Sequence, residues 1–330
     1  MLNFRLSALF NSAFKALTLC LAGVAAALLL PLAIFGSPPS GSRPVSLSVS
    51  DDNGSLSFQW SEKGLSLKIQ SQGRIDFNDD WTGISHLAPG ARMLLVEEKK
   101  GAERRLEIRP ESNGRPRYDW KVGGKQHAFD AEGSMWLREA LLRFVRGTGY
   151  AAKERSASIF KRQGPSGLLA EIAQVPGDHV KGLYYAELLA HRDLGAPVVE
   201  AALRQAGQQI GSSYLLTNVL VSCAREQVLS EAGVLSYIEA MHSIDSDYDQ
   251  WRASSALVEK GRLSPTSLEA LLKTQKIRSD HYLASVLVEI AGRYELSGRP
   301  RAAYLEVAGS IRSKAQRDRA EAALAERSGR

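Results

Sequence analysis

The chain has 330 residues, 44% hydrophobic and 24% charged, with a formal net charge of +6. This is an ordinary globular composition, long enough for two folded units with cores of their own. The basic surplus is spread thinly, with thirteen charges of each sign in residues 44–130, and no stripe of Lys and Arg with interleaved aromatic rings occurs, which argues against nucleic acid as a partner. From Arg299 onward, eight basic residues face four acidic ones, a bias that suits a solvated helix.

Residues 1–15 contain Arg5 and Lys15 and no acid, and the next 21 residues, Ala16 to Gly36, contain no charge at all. As a helix this segment would extend about 31 Å, matching a hydrocarbon core of about 30 Å. A cleavable signal peptide would end on a small-x-small site after about 7–15 apolar residues. Here Ile34 and Phe35 stand where small residues are needed, so the expectation is an uncleaved anchor over 16–36. The charge bias keeps residues 1–15 in the cytoplasm and places residues 44–330 outside it. Residues 37–44, with Pro38, Pro39 and Pro44, form a short linker. Cys20 falls in the span and Cys223 in a packed helix, so they cannot pair, and the exported part must rely on its core.

Between Val45 and Phe129 the apolar residues alternate with period two. Leu56, Phe58 and Trp60 share one face of a strand; so do Leu65, Leu67 and Ile69, and then Ile75 and Phe77. The breaks Asn53-Gly54, Lys63-Gly64, Lys100-Gly101, Asn113-Gly114 and Gly123-Gly124 are hairpin turns by residue type. The expected domain, residues 45–130, is an antiparallel meander of seven or eight strands. Residues 131–164 supply connecting helices, the first of which covers the sheet with Trp136, Leu137, Ala140, Leu141 and Phe144. Asp76, Asn78 and Asp80 occupy positions one, three and five of a calcium loop. Trp81 and Leu87, however, stand where glycine and glutamate are required, so a self-satisfied turn is the expectation and no metal.

Residues 165–330 repeat. Val175, Ile210, Ile244, Ile277 and Ile311 form a column with intervals of 33 to 35 residues. Two residues on stand Gly177, Ser212, Ser246, Ser279 and Ser313, then Asp178, Ser213, Asp247, Asp280 and Lys314. Leu188, Cys223, Leu257, Ile290 and Leu324 follow the first column by thirteen. Serine before an apolar-periodic run is an N-cap, and the aspartate after it sits at the positive end of the helix dipole. Pro165, Pro197, Pro265 and Pro300 each precede the column residue by ten to thirteen positions and suit a helix's first turn; Ser230-Glu231 takes that place in the third copy. Each repeat is then a helix A, a tight turn and a capped helix B, stacked into an α-solenoid of period about 34. The tetratricopeptide signature is absent, and a HEAT-like or generic solenoid is equally open. His179, Tyr214, Tyr248 and His281 share one position after the cap, and packing between helices is the expected role of their rings. The fold class is thus α+β multidomain: membrane helix, β meander, helical repeats.

Catalytic constellations are missing from the sequence: no H-E-x-x-H, C-x-x-C, glycine-rich phosphate loop or G-x-S-x-G. His86, His127, His179, His191, His242 and His281 follow no ligand spacing, and Asp178-His179 and Asp280-His281 are accounted for by repeat position. No catalytic, cofactor-binding or metal-ligating residue is assigned, no cofactor is expected, and the protein is not expected to be an enzyme.

The stretch from Gly73 to Pro110, followed by the I-x-S-D-aromatic repeats, resembles an uncharacterised group of bacterial membrane-anchored envelope proteins. It is similar over about residues 50–325 to the ectodomains of antirepressor-type sensor metallopeptidases and anti-sigma-like proteins, without their H-E-x-x-H or zinc motif. The resemblance implies a sensing or scaffolding ectodomain. The leading expectation is a membrane-anchored, periplasm-facing scaffold that binds another protein through its repeats. A ligand-sensing ectodomain of an envelope signalling complex is the second, and an envelope hydrolase with a dispersed site the third.

Overall fold

The computed structural model describes residues 45–50 and 55–328. The expected cytoplasmic segment, membrane anchor and linker (residues 1–15, 16–36 and 37–44) and the Asn53-Gly54 turn lie outside them. Among the described residues, no helix is long and apolar enough to cross a membrane.

Among the described residues nine strands come first: β1 (Val45–Ser50), β2 (Ser55–Glu62), β3 (Leu65–Gln72), β4 (Ile75–Phe77), β5 (Ile84–Leu87), β6 (Arg92–Lys99), β7 (Ala102–Pro110), β8 (Pro116–Val122) and β9 (Lys125–His127). Seven pair in the antiparallel order β1-β2-β3-β6-β7-β8-β9, a meander from which the β4–β5 hairpin departs and returns. The two-residue turns set the register. Glu62 faces Leu65, Lys99 faces Ala102 and Val122 faces Lys125. Both residues of each intervening pair have positive φ, with Lys63 and Lys100 at 47° and 50°, the twist that primed turns match to the strands.

Helix α1 (Ala131–Thr148) covers one sheet face, as its apolar spacing requires. Its Trp136, Leu137, Ala140, Leu141 and Phe144 are buried in one core with Phe58, Leu67, Leu95, Leu106 and Trp120. Phe144 meets Phe58 edge-on at 5.1 Å, and Trp120 meets Trp136 at 4.7 Å. Full burial of each such side chain contributes about 1.5–3 kcal/mol. One charge enters this core: Glu97, on the inner face of β6, accepts from the Trp136 indole at 3.0 Å and from Arg143 at 3.3 Å. The covering helix thereby satisfies the carboxylate it buries.

Ten more helices follow: α2 (Ala152–Gln174), α3 (Asp178–Leu189), α4 (Ala196–Gln209), α5 (Ser213–Glu226), α6 (Glu231–Met241), α7 (Asp247–Lys260), α8 (Pro265–Thr274), α9 (Asp280–Arg293), α10 (Gly298–Ser310) and α11 (Lys314–Ser328). Gly164, at φ 68° and ψ −173°, interrupts α2, so Pro165 opens a new helical run. From there the helices alternate between two layers. The second run of α2 stacks on α4, then α6, α8 and α10; α3 stacks on α5, then α7, α9 and α11. The isoleucine column lies buried at the turn between layers, and Ser212 and Ser246 cap α5 and α7 through their side chains, with Ser279 at the cap of α9 but making no such bond.

The aspartate column does more than face a dipole. Asp178 Oδ2 accepts the amides of Gly211 and Ser212, both at 2.9 Å; Ser213 Oγ accepts that of Asp245 at 3.1 Å. Asp247 accepts the Ser279 amide at 2.9 Å, and Asp280 accepts those of Arg312 and Ser313 at 3.3 and 2.8 Å. The first residue of each of α3, α5, α7 and α9 thus satisfies backbone donors at the turn of the next repeat.

The β unit and the first repeats are joined by polar groups. Ser158 and Arg162 of α2 both donate to the Asp79 carbonyl in the β4–β5 turn. Glu171 binds Arg146 of α1 at 2.7 and 2.8 Å and Arg155 at 2.7 Å, and Arg155 also reaches the Tyr184 hydroxyl at 2.9 Å.

Candidate functional site

The sequence-level candidates are scattered. All six histidines are exposed. The carboxylates of Asp178 and Asp280 are engaged by backbone amides of the next repeat, so neither Asp-His pair is free for acid–base work. Asn78 Oδ1 accepts the amides of Thr82 and Gly83, and Asp80 accepts the Thr82 amide and hydroxyl; burial pushes the Asp80 carboxyl up, and the Thr82 bonds outweigh it to hold it low. These side chains close their own turn. Among the described residues, no group of three His, Cys, Asp or Glu side chains converges on a point that would hold a metal. Cys223 is buried, and burial pushes its thiol up to about 12, out of nucleophilic range.

The aromatic column departs from expectation. His179, Tyr214, Tyr248 and His281 are not buried between helices; all four are exposed, Tyr214 by 59% and Tyr248 by 49%. Helix geometry gives the reason. In α5 the buried residues include Leu216, Leu220 and Cys223. Tyr214 precedes Leu216 by two residues, about 200° around the helix, and so points away from the core.

These rings form the edge of a larger cluster. The Arg252 guanidinium lies 5.8 Å from the ring centres of both Tyr214 and Tyr248, bridging consecutive repeats. It is held there by Asn218 Oδ1 at 3.0 Å and Asp249 Oδ1 at 3.2 Å. Tyr248 packs against Trp251 at 5.6 Å and Tyr282 at 5.8 Å; Trp251 and Tyr282 stack at 5.5 Å with 22° between their planes. The His281 ring meets Tyr282 edge-on. Helices α5, α7 and α9 each contribute, so the cluster exists only because the repeats are in register.

A groove of about 390 Å³ continues the cluster along α7 and α9, lined by Ser255, Val258, Glu259, Glu289, Gly292 and Arg293. Glu289 belongs to both features, since it also accepts from the Trp251 indole at 3.4 Å. The face therefore offers aromatic planes and a fixed cation at one end, and two carboxylates beside an arginine at the other. Trp251, Arg252 and Tyr282 were not singled out by sequence reasoning. Projecting the repeats onto a common helical wheel, where they fall at the margin of the buried stripe, is the signal that finds them.

No protein-family model, no curated protein and no solved structure matches this chain.

Proposed function

We propose that the protein is a membrane-anchored scaffold of the bacterial envelope, not an enzyme, that binds a protein partner through the exposed aromatic face of its helical repeats. The observation that carries this reading is the Tyr214–Arg252–Tyr248–Trp251–Tyr282 cluster. Tyr and Trp with a pre-positioned Arg are the residue types that dominate protein interfaces, and half-exposed aromatic surface gains most by being covered. Uncharged Ala16–Gly36 supports the anchor, and the resemblance of the β unit and repeats to envelope ectodomains supports the location.

The test is site-specific photocrosslinking in intact cells, with the reactive residue at Tyr248 or, as control, at exposed Leu235 in the other helix layer. A discrete heavier adduct from position 248 alone is expected. No adduct at 248, or equal adducts at both positions, overturns the reading.

The groove beside Glu259 and Glu289 favours a second reading, a ligand-sensing ectodomain. In that case Glu289→Gln abolishes a small-molecule-induced rise in melting temperature while leaving the position-248 adduct intact.

A further inference from the structure

Tyr248, Trp251, Ser255 and Glu259 follow one another at helical spacing along one face of α7, and Tyr282, Glu289 and Arg293 do the same on α9. The valley between the two faces changes character along its length. Its first part carries the ring planes of Tyr248, Trp251 and Tyr282, with Tyr248 half exposed. Its second part is the polar groove at Ser255, Glu259, Glu289 and Arg293. From Trp251 to Glu259, α7 advances by about 12 Å, which is room for several linked rings.

The charges of the polar part balance. Glu259 pairs with Lys260 at 3.0 Å, and the hydrogen bond from Lys260, followed by the fields of Arg225 and Arg293, holds its carboxyl below the usual range. A ligand of strong charge, of either sign, meets repulsion there as well as attraction. Hydrogen-bonding capacity, in contrast, is left over. Glu289 spends Oε1 on the Trp251 indole, and its Oε2 has no donor among the described residues. Ser255 Oγ is buried without a partner, a cost that a ligand hydroxyl seated in the groove removes. The wall is recessed at Gly292, where an added Cβ would meet nothing within 4 Å.

Carboxylates only accept, guanidinium only donates, and a serine hydroxyl does both. An uncharged ligand that serves all three must be rich in hydroxyls. The ring planes ask in addition for a flat face of C–H bonds, whose hydrogens suit the negative face of an aromatic ring. Sugars combine the two. We propose that the valley between α7 and α9 binds a neutral oligosaccharide, its C–H faces on Tyr248, Trp251 and Tyr282 and its hydroxyls on Glu289, Ser255 and Arg293. The proposal rests on the ligand-sensing reading of this groove and gives that ligand a chemical class.

The test is calorimetric titration of the full chain with cellohexaose, maltohexaose and chitohexaose, and with hexalysine and hexaglutamate as charged probes. Saturable binding of at least one of the three sugars is expected. Gly292→Leu fills the recess and should weaken that binding at least about tenfold without lowering the melting temperature. Tyr248→Ala removes an exposed ring and should weaken it too, a check independent of how the first variant folds. Failure of all three sugars to bind, or sugar binding that neither substitution weakens, overturns the proposal. A charged probe bound in place of the sugars, and lost in Gly292→Leu, overturns the sugar assignment and leaves the ligand-sensing reading standing. The adduct at position 248 reads the protein partner separately.

Discussion

The Asp280 carboxylate receives the backbone amide of Ser313, thirty-three residues further on, at 2.8 Å. The same carboxylate also takes the Arg312 amide, so one side chain closes the turn of a neighbouring repeat. Asp280→Ala strands two amide donors at a repeat boundary and is expected to cost about 1–3 kcal/mol. Asp280→Asn keeps an acceptor and should lose less. Urea denaturation of the three proteins checks the order.

The Glu171 network sets a pH dependence. Burial raises the Glu171 carboxyl, but hydrogen bonds from Arg146 and then Arg155 outweigh it and hold the group below the ordinary carboxylate range. A depressed folded-state value stabilises the protein above the unfolded value, about 4.3 for Glu, and that stability drains away as pH falls through the lower, folded value. Melting temperature should therefore drop steeply on acidification below about pH 4.3, and Glu171→Gln should flatten the slope. Removing Arg155 leaves the buried carboxylate short of a partner, at a cost of about 3 kcal/mol at neutral pH.

Gly207 in α4 is in close contact with α6. A Cβ added there would lie 2.8 Å from the Ala240 Cα and 2.9 Å from its Cβ, and Ser243 hydrogen-bonds the Gly207 carbonyl. Gly207→Ala should destabilise by about 1–3 kcal/mol through overpacking, despite the gain in helix propensity. Thermal unfolding of the single variant measures this directly.

Two tyrosines eleven positions apart should respond in opposite ways. Tyr237 is fully buried and donates to the Ala253 carbonyl at 2.9 Å. Tyr248 is half exposed. Tyr237→Ala is expected to cost about 3–5 kcal/mol and Tyr248→Ala less than about 1 kcal/mol. The second substitution should instead lower the yield of adducts from a photoreactive residue at position 214. Chemical denaturation and crosslinking on the same pair of variants separate the two roles.

Much of the fold is legible in the sequence because period alone carries it. Alternation over Leu56, Phe58 and Trp60 makes β2; the stripe from Trp136 to Phe144 makes the covering helix; the isoleucine column marks the turn between the two helices of each repeat. The second purpose of Asp178, Asp247 and Asp280 is not legible that way. A carboxylate's partner one repeat away is set by how the repeats stack, and the dipole explanation already accounts for the residue type. The outward aromatic rings were legible but misassigned, since their recurrence at one column says that the position is equivalent, not which way it faces. Glu97 gave no signal, because a buried carboxylate in a strand is seen only once the Trp136 indole and Arg143 are brought to it.

Lys314 stands where Asp178, Asp247 and Asp280 stand in other repeats, and an ammonium cannot accept an amide. The hand-to-hand chain of first-residue acceptors stops at α11: the turn before it is held by Asp280, while its own first side chain offers no acceptor onward. Any helix stacked beyond α11 would meet an ammonium where the earlier repeats present an acceptor, and its turn would have to be satisfied by other groups.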